Sequence, residues 1–183
     1  GGGGGGGTPP PASGSLDALF GVAGKALTGF GGDEEINALA IQPDGKIVVA
    51  GYAWNGSDTD FALARYNPDG ALDTAFGPDH TGRVITPIGI GNDQAFGLSI
   101  QGDGMIVVAG TSQSSGADYS FALARFTADG SLDTGFNSSG TVTYSFGGGY
   151  DVAYAVAVTG SGTIVAAGSA YNVTDGFSHF ALA

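Results

Sequence analysis

Cysteine is absent from the 183 residues, so neither a disulfide framework nor a thiolate metal site is available. Basic side chains are nearly absent too: 5 Lys plus Arg stand against 17 Asp plus Glu, a formal net charge of −12. An acidic surface of this kind repels phosphate backbones and anionic membranes, which sets nucleic acid aside and leaves divalent cations or basic partners as the better electrostatic match. No apolar run reaches the ~18 to 20 residues that a membrane-spanning helix needs. There is no Gly-x-Ser-x-Gly elbow, no phosphate loop ending in Gly-Lys-Ser/Thr and no His-Glu-x-x-His helix. His80 and His179 stand at unrelated positions, so neither a repeated metal site nor a paired acid and base is indicated.

What is abundant is glycine, 36 residues, and repetition. Ser15-Leu16-Asp17 recurs as Ala71-Leu72-Asp73 and Ser131-Leu132-Asp133. Gly45 to Gly51 recurs as Gly104 to Gly110 and Gly162 to Gly168, and Phe61-Ala62-Leu63-Ala64 recurs as Phe121-Ala122-Leu123-Ala124 and Phe180-Ala181-Leu182-Ala183. Repeats of this size are units that bury their faces against their neighbours. The division expected is repeat 1 over 15–70, repeat 2 over 71–130 and a shortened repeat 3 over 131–183. Residues 1–14, seven glycines followed by a Thr/Pro/Ala/Ser stretch, read as a flexible tether.

Each repeat holds short stretches rich in β-branched and aromatic residues between Gly, Asp, Asn and Pro clusters, the signature of strands. Ile36–Ile41, Lys46–Ala50 and Phe61–Tyr66 are three such stretches, and a fourth is expected over Lys25–Phe30, Arg83–Ile88 and Thr141–Phe146. Four antiparallel strands per repeat predict an all-β, β-propeller-type architecture. The strands over Ile36–Ile41 and Lys46–Ala50 meet at Asp44-Gly45, and their equivalents at Asp103-Gly104, where Asp-Gly supplies the positive φ values of a tight hairpin turn; Ser161-Gly162 replaces it in the third repeat. In Phe61-Ala62-Leu63-Ala64-Arg65 alternation puts Phe61, Leu63 and Arg65 on one face and two alanines on the other. One bulky and one small face suit radially stacked sheets that are covered on both sides.

Arg65 and Asp73 lie four residues either side of Asp69, and Arg125 and Asp133 likewise about Asp129. A cross-strand ion pair is expected at each junction, with a charge-swapped pair restoring what either single change loses. Glu34, Asp93 and Asp151 occupy equivalent positions in the three repeats, each just ahead of a strand entry, where a propeller would set them in a ring able to bind Ca²⁺ or a polar ligand near the axis. The competing role for such carboxylates is acceptance of local backbone hydrogen bonds. Trp54, the sole tryptophan, follows Tyr52 towards a variable loop and is placed to stack on a sugar.

The run from Gln42 to Gly51, then Phe61 to Gly70, then Leu72 to Gly77, resembles the delta-60 repeat, a β-propeller family of unknown function seen chiefly in exported bacterial proteins. The resemblance spans about residues 15–183, departs at Thr159-Gly160-Ser161-Gly162, and implies no activity, cofactor or site residue. The expectation is therefore a non-catalytic binding or scaffold module, exported to the outer membrane surface or beyond the cell, meeting protein or glycan there. The tether resembles that of a lipoprotein whose lipid-bearing cysteine is not in this sequence, so membrane attachment is expected only through such an anchor. Two rival classes stand beside it: a subunit of a surface filament or adhesin, and a glycan hydrolase or lyase using Glu34, Asp93 and Asp151. Closed propellers need about four to eight blades. Three repeats predict an incomplete ring, either part of a longer protein or one completed by other chains pairing with its open strand edges.

Overall fold

The computed structural model describes residues 14–183; the tether expected over 1–14 lies, apart from Gly14, outside the described residues. The described residues form strands and turns with no helix. In chain order the strands are β1 (Glu34–Ile41), β2 (Ile47–Trp54), β3 (Thr59–Tyr66), β4 (Arg83–Thr86), β5 (Asp93–Ile100), β6 (Ile106–Ser115), β7 (Asp118–Phe126), β8 (Thr141–Tyr144), β9 (Val152–Val158), β10 (Ile164–Asn172) and β11 (Phe177–Leu182). They make three antiparallel sheets in the orders β1-β2-β3-β4, β5-β6-β7-β8 and β9-β10-β11. Each sheet is a propeller-type blade, and the row of three is open.

The fourth strand of each four-stranded blade comes from the repeat that follows it: Arg83–Thr86 pairs with β3, and Thr141–Tyr144 with β7. Sequence repeats and sheets are therefore out of phase. Lys25–Phe30 forms no strand, contrary to expectation, because its counterparts pair with the preceding blade and no blade precedes it among the described residues.

The turn glycines carry the geometry expected of them. Gly45, Gly104 and Gly162 have φ of 83°, 89° and 86°, left-handed values that a side chain would strain. The aspartates beside the first two do not share that conformation; Asp44 and Asp103 instead accept the backbone N–H two residues on. A second glycine has a different reason. Each innermost strand bulges, at Ile36/Ala38 in β1 and at the matching places in β5 and β9, and Gly51, Gly110 and Gly168 lie opposite the bulge. A Cβ on any of the three would sit 1.8 to 1.9 Å from a carbonyl oxygen of the innermost strand.

Packing between blades follows the alternation. Phe61, Leu63, Val48 and Ala50 of the first blade share one buried cluster with Ala122, Ala124, Ile106 and Val108 of the second. Phe121 and Leu123 of the second pack in turn with Ala166 and Ala181 of the third. The bulky face of each blade thus meets the alanine face of the next, and the innermost strand β5 lies against β1, β2 and β3 while β9 lies against β5, β6 and β7. The alanine face is not small along its whole length: Phe126 closes one end of the joint beside Phe76.

Candidate functional site

Two groups of polar residues recur with the repeats. The first lies where the innermost strands begin. Asp93 is fully buried, and its Oδ2 accepts the backbone N–H groups of Ile88 and Gly89 at 2.6 and 2.9 Å. Asp151 is fully buried as well and accepts the N–H groups of Phe146 at 2.8 Å and Tyr171 at 3.0 Å. These carboxylates anchor the chain that arrives from the preceding blade. Glu34, the third member, is exposed and lies near Gly29, five residues upstream as Ile88 is of Asp93. Its neighbour Glu35 accepts the Tyr52 hydroxyl at 2.7 Å.

Around Asp93 the polar contacts cross from blade to blade. Asn92 Oδ1 accepts from both the backbone N–H and the hydroxyl of Thr59, tying the β2–β3 hairpin of the first blade to the start of β5. Asp60 is buried at the same joint and accepts Asn55 Nδ2 at 2.6 Å. Burial raises its carboxyl pKa above the ordinary range, the Asn55 hydrogen bond opposes this, and the charges of Asp93 and Asp58 add to the rise. Trp54 is part-exposed at the end of β2, donates its backbone N–H to Asp33 and leaves no room for a side chain at Gly32. Among the described residues no group of three or more His, Cys, Asp or Glu side chains is placed to hold a metal ion. His179 is exposed and its Nε2 lies 2.8 Å from Asp175 Oδ2, and His80 lies in a turn far along the chain from it.

The second group lies at the opposite ends of the strands. Arg65 Nε is 2.7 Å from Asp73 Oδ2, both side chains being more than nine-tenths buried. The same guanidinium donates to the Ala128 carbonyl of the second blade at 2.6 Å and lies over the Phe76 ring, 4.7 Å from its centroid. Lys46 Nζ reaches the same Asp73 oxygen at 2.8 Å. Burial works to raise the Asp73 pKa, but the hydrogen bonds from Lys46, the Ala75 backbone and Arg65 outweigh it and hold the carboxyl below its ordinary range. The second copy of the arrangement is looser. Arg125 Nε is again 2.7 Å from Asp133 Oδ2 and its guanidinium lies over Phe136, but the side chains are 25% and 16% exposed and Met105 stands where Lys46 does.

Sequence reasoning named the arginines and aspartates of this joint but not Lys46, Phe76 or the Ala128 carbonyl. Phe76 was findable, since Phe20 and Phe136 hold the same place after Leu-Asp. Two of these rings cap a glycine: a Cβ on Gly130 would lie 2.6 Å from Phe76, and one on Gly70 would lie 3.0 Å from Phe20. Gly77 N–H donates to Asp129 O of the next blade, and Gly21 N–H to Asp69 O, so the segment after Leu-Asp clamps one blade to the following turn.

A family model described as a β-propeller domain of unknown function, DUF5122, matches residues 42–76 and 101–136. The chain is similar to a β-propeller repeat family. No curated protein matches it. Both matched segments run from the turn before the second strand through the arginine, the aspartate and the phenylalanine beneath the arginine, ending at Phe76 and Phe136. The ion-paired joint therefore lies inside the matched segments, and Glu34, Asp93 and Asp151 lie outside them. The family is described by fold, and the match brings no chemistry with it.

Proposed function

We propose that the chain is a non-catalytic propeller-type module of the delta-60 repeat kind, exported by a bacterium, which presents the loops at its acidic end to protein or glycan at the cell surface. The observation that carries this reading is the use of the carboxylates. Asp93 and Asp151, the residues best placed to do chemistry at the axis, are buried, and Asp93 Oδ2 and both carboxylate oxygens of Asp151 accept backbone N–H groups. A general acid, base or nucleophile needs reach to a substrate as well as a tuned pKa. What faces solvent at that end is the set of β2–β3 type hairpins, which differ from blade to blade in sequence while the sheets beneath repeat. Trp54 at 42% and Tyr150 at 47% exposure give that end aromatic surface beside carboxylates. Rigid scaffold with variable loops is the usual division of labour in a binding domain.

The test is a glycan array and a surface-protein pull-down on the 183-residue chain, each run with and without Ca²⁺, followed by mass spectrometry of the bound glycans. Retention of intact glycan, reduced by Trp54→Ala, supports the reading. Release of cleaved or unsaturated sugar sinks it and places the chain among hydrolases or lyases.

A further inference from the structure

The recurring carboxylate of the innermost strands is fully engaged at the third blade and half engaged at the second. Asp151 accepts a backbone N–H on each of its oxygens, from Phe146 and from Tyr171. Asp93 accepts two on Oδ2, and its Oδ1 is buried with no hydrogen-bond partner among the described residues. The residue that could reach Oδ1 as Tyr171 reaches Asp151 is Gln113, but its N–H donates to Asn92 O instead. A buried polar atom left without a partner costs about 1 to 3 kcal/mol, and more when it carries charge.

A second such atom stands beside the first. Ser112 is 1% exposed, lies opposite Asp93 in the β5–β6 register, and its Oγ also has no partner among the described residues. The first and third blades carry Ala53 and Ala170 at this position. The unpartnered oxygens lie around one spot: a Cβ on Gly89 would be 2.3 Å from Gln113 O, 2.5 Å from Ser112 Oγ and 3.2 Å from Asp93 Oδ1. Gln113 O accepts the Ile90 N–H at 3.2 Å and keeps a second lone pair. The counterpart Gly147 of the third blade has nothing within 4 Å of its Cβ position.

Charge distinguishes a cation from a buried water as the occupant. Asp60 is 3% exposed at the same joint, and Asp93 acts on it as a like charge. Among the described residues neither carboxylate makes an ion pair, and Lys46, Arg65 and Arg125 are held at the opposite ends of the strands. A water molecule would satisfy lone pairs without offsetting the charge, whereas buried charges are ordinarily paired or bound to a metal. Carboxylate, hydroxyl and carbonyl oxygens with no nitrogen or sulfur among them suit a hard cation.

We infer that the joint between the first and second blades binds one hard divalent cation of the Ca²⁺ kind through Asp93 Oδ1, Ser112 Oγ and Gln113 O, with the charge of Asp60 beside it and water completing the shell. This is not the ring of Glu34, Asp93 and Asp151 expected from the repeats. It belongs to a single joint, where the second repeat departs from the other two. Asp60 comes from β3 and Asp93 from β5, so the cation strengthens the same junction that Asn92 and Thr59 tie. The inference does not rest on the proposed binding at the cell surface.

Calorimetric titration of Ca²⁺ into the 183-residue chain, stripped with EDTA and held at constant ionic strength, is the test. One Ca²⁺ per chain is expected, at a Kd of about 10⁻³ M or tighter, with a rise in melting temperature that NaCl of equal ionic strength does not give. Ser112→Ala installs the residue that the neighbouring blades carry; it is expected to fold normally in EDTA and to raise the Kd about 10-fold or more. Asp93→Asn is expected to lose saturable binding. No saturable Ca²⁺ heat up to about 10 mM, beyond the weakest class of extracellular Ca²⁺ sites, overturns the inference and leaves the oxygens to a buried water. Several weak ions per chain, or one ion whose affinity neither variant changes, overturns it as well, since the binder would then be the acidic surface. Should Asp93→Asn fail to fold in EDTA, the Kd of Ser112→Ala decides alone.

Discussion

The two arginine joints share a geometry and differ in burial, so they should differ in energy by a predictable amount. Arg65 and Asp73 are 9% and 8% exposed, and removing one partner leaves the other charged and buried, a change that costs about 3 to 5 kcal/mol when no other partner remains. Lys46 does remain on Asp73, and the Ala128 carbonyl loses its donor, so Arg65→Met is expected near the lower end, about 3 kcal/mol. Arg125 and Asp133 reach water, and Arg125→Met is expected to cost about 1 kcal/mol. The assay is urea unfolding followed by circular dichroism with the m-value checked for a single transition, in a cycle that pairs each arginine variant with Asp73→Asn or Asp133→Asn. Coupling is expected to be about 2 kcal/mol at the first joint and below about 1 kcal/mol at the second. Equal costs at the two joints, or a larger cost at Arg125, would refute the argument from burial. Charge reversal is a poor test here, although sequence spacing alone recommends it. An arginine at 73 would face Lys46, and an aspartate at 65 would face the Ala128 carbonyl, so the swapped pair should stay destabilised.

Two further outcomes follow from burial and charge. Leu63→Ala is expected to destabilise by about 2 to 5 kcal/mol, against under about 1 kcal/mol for Leu182→Ala in monomeric protein, since the first side chain is fully buried and the second 70% exposed; thermal melts at low concentration compare them. Asp60 has its folded pKa raised, so its contribution to stability is fully present below its ordinary value of 3.8 and is lost as pH rises through the folded value. Asp60→Asn should therefore stabilise at neutral pH and do so less as pH falls towards that ordinary value; a benefit that does not change with pH would show that the charge is not the cause.

The strand pattern was legible because alternation and turn glycines act locally: Phe61, Leu63 and the alanines between them already state which face is bulky. The pairing of Arg65 with Asp73 was legible for the same reason, the two residues flanking one turn. Lys46 was not, because it approaches Asp73 from the turn that leads into β2 and nothing in its own neighbourhood marks it. For Asp93 and Asp151 the sequence offered two roles, a ligand ring or acceptance of backbone hydrogen bonds, and only the fold shows which N–H groups they accept, because those partners carry no side-chain pattern. The stretch expected over Lys46–Ala50 stops short of Gly51, yet Gly51, Gly110 and Gly168 lie inside strands, where a bulge brings a carbonyl against the backbone.

By itself the sequence determined the repeat, its strands, its two unlike faces and the absence of thiol chemistry, since these depend on residue identity and near-neighbour sterics. Only the tertiary structure decided that each fourth strand belongs to the blade before it, that the carboxylates of the innermost strands serve the backbone, and that the bulky face of one blade packs on the alanine face of the next. Those outcomes depend on which distant segments meet, and packing between blades selects the meeting from many arrangements that local pattern alone would allow.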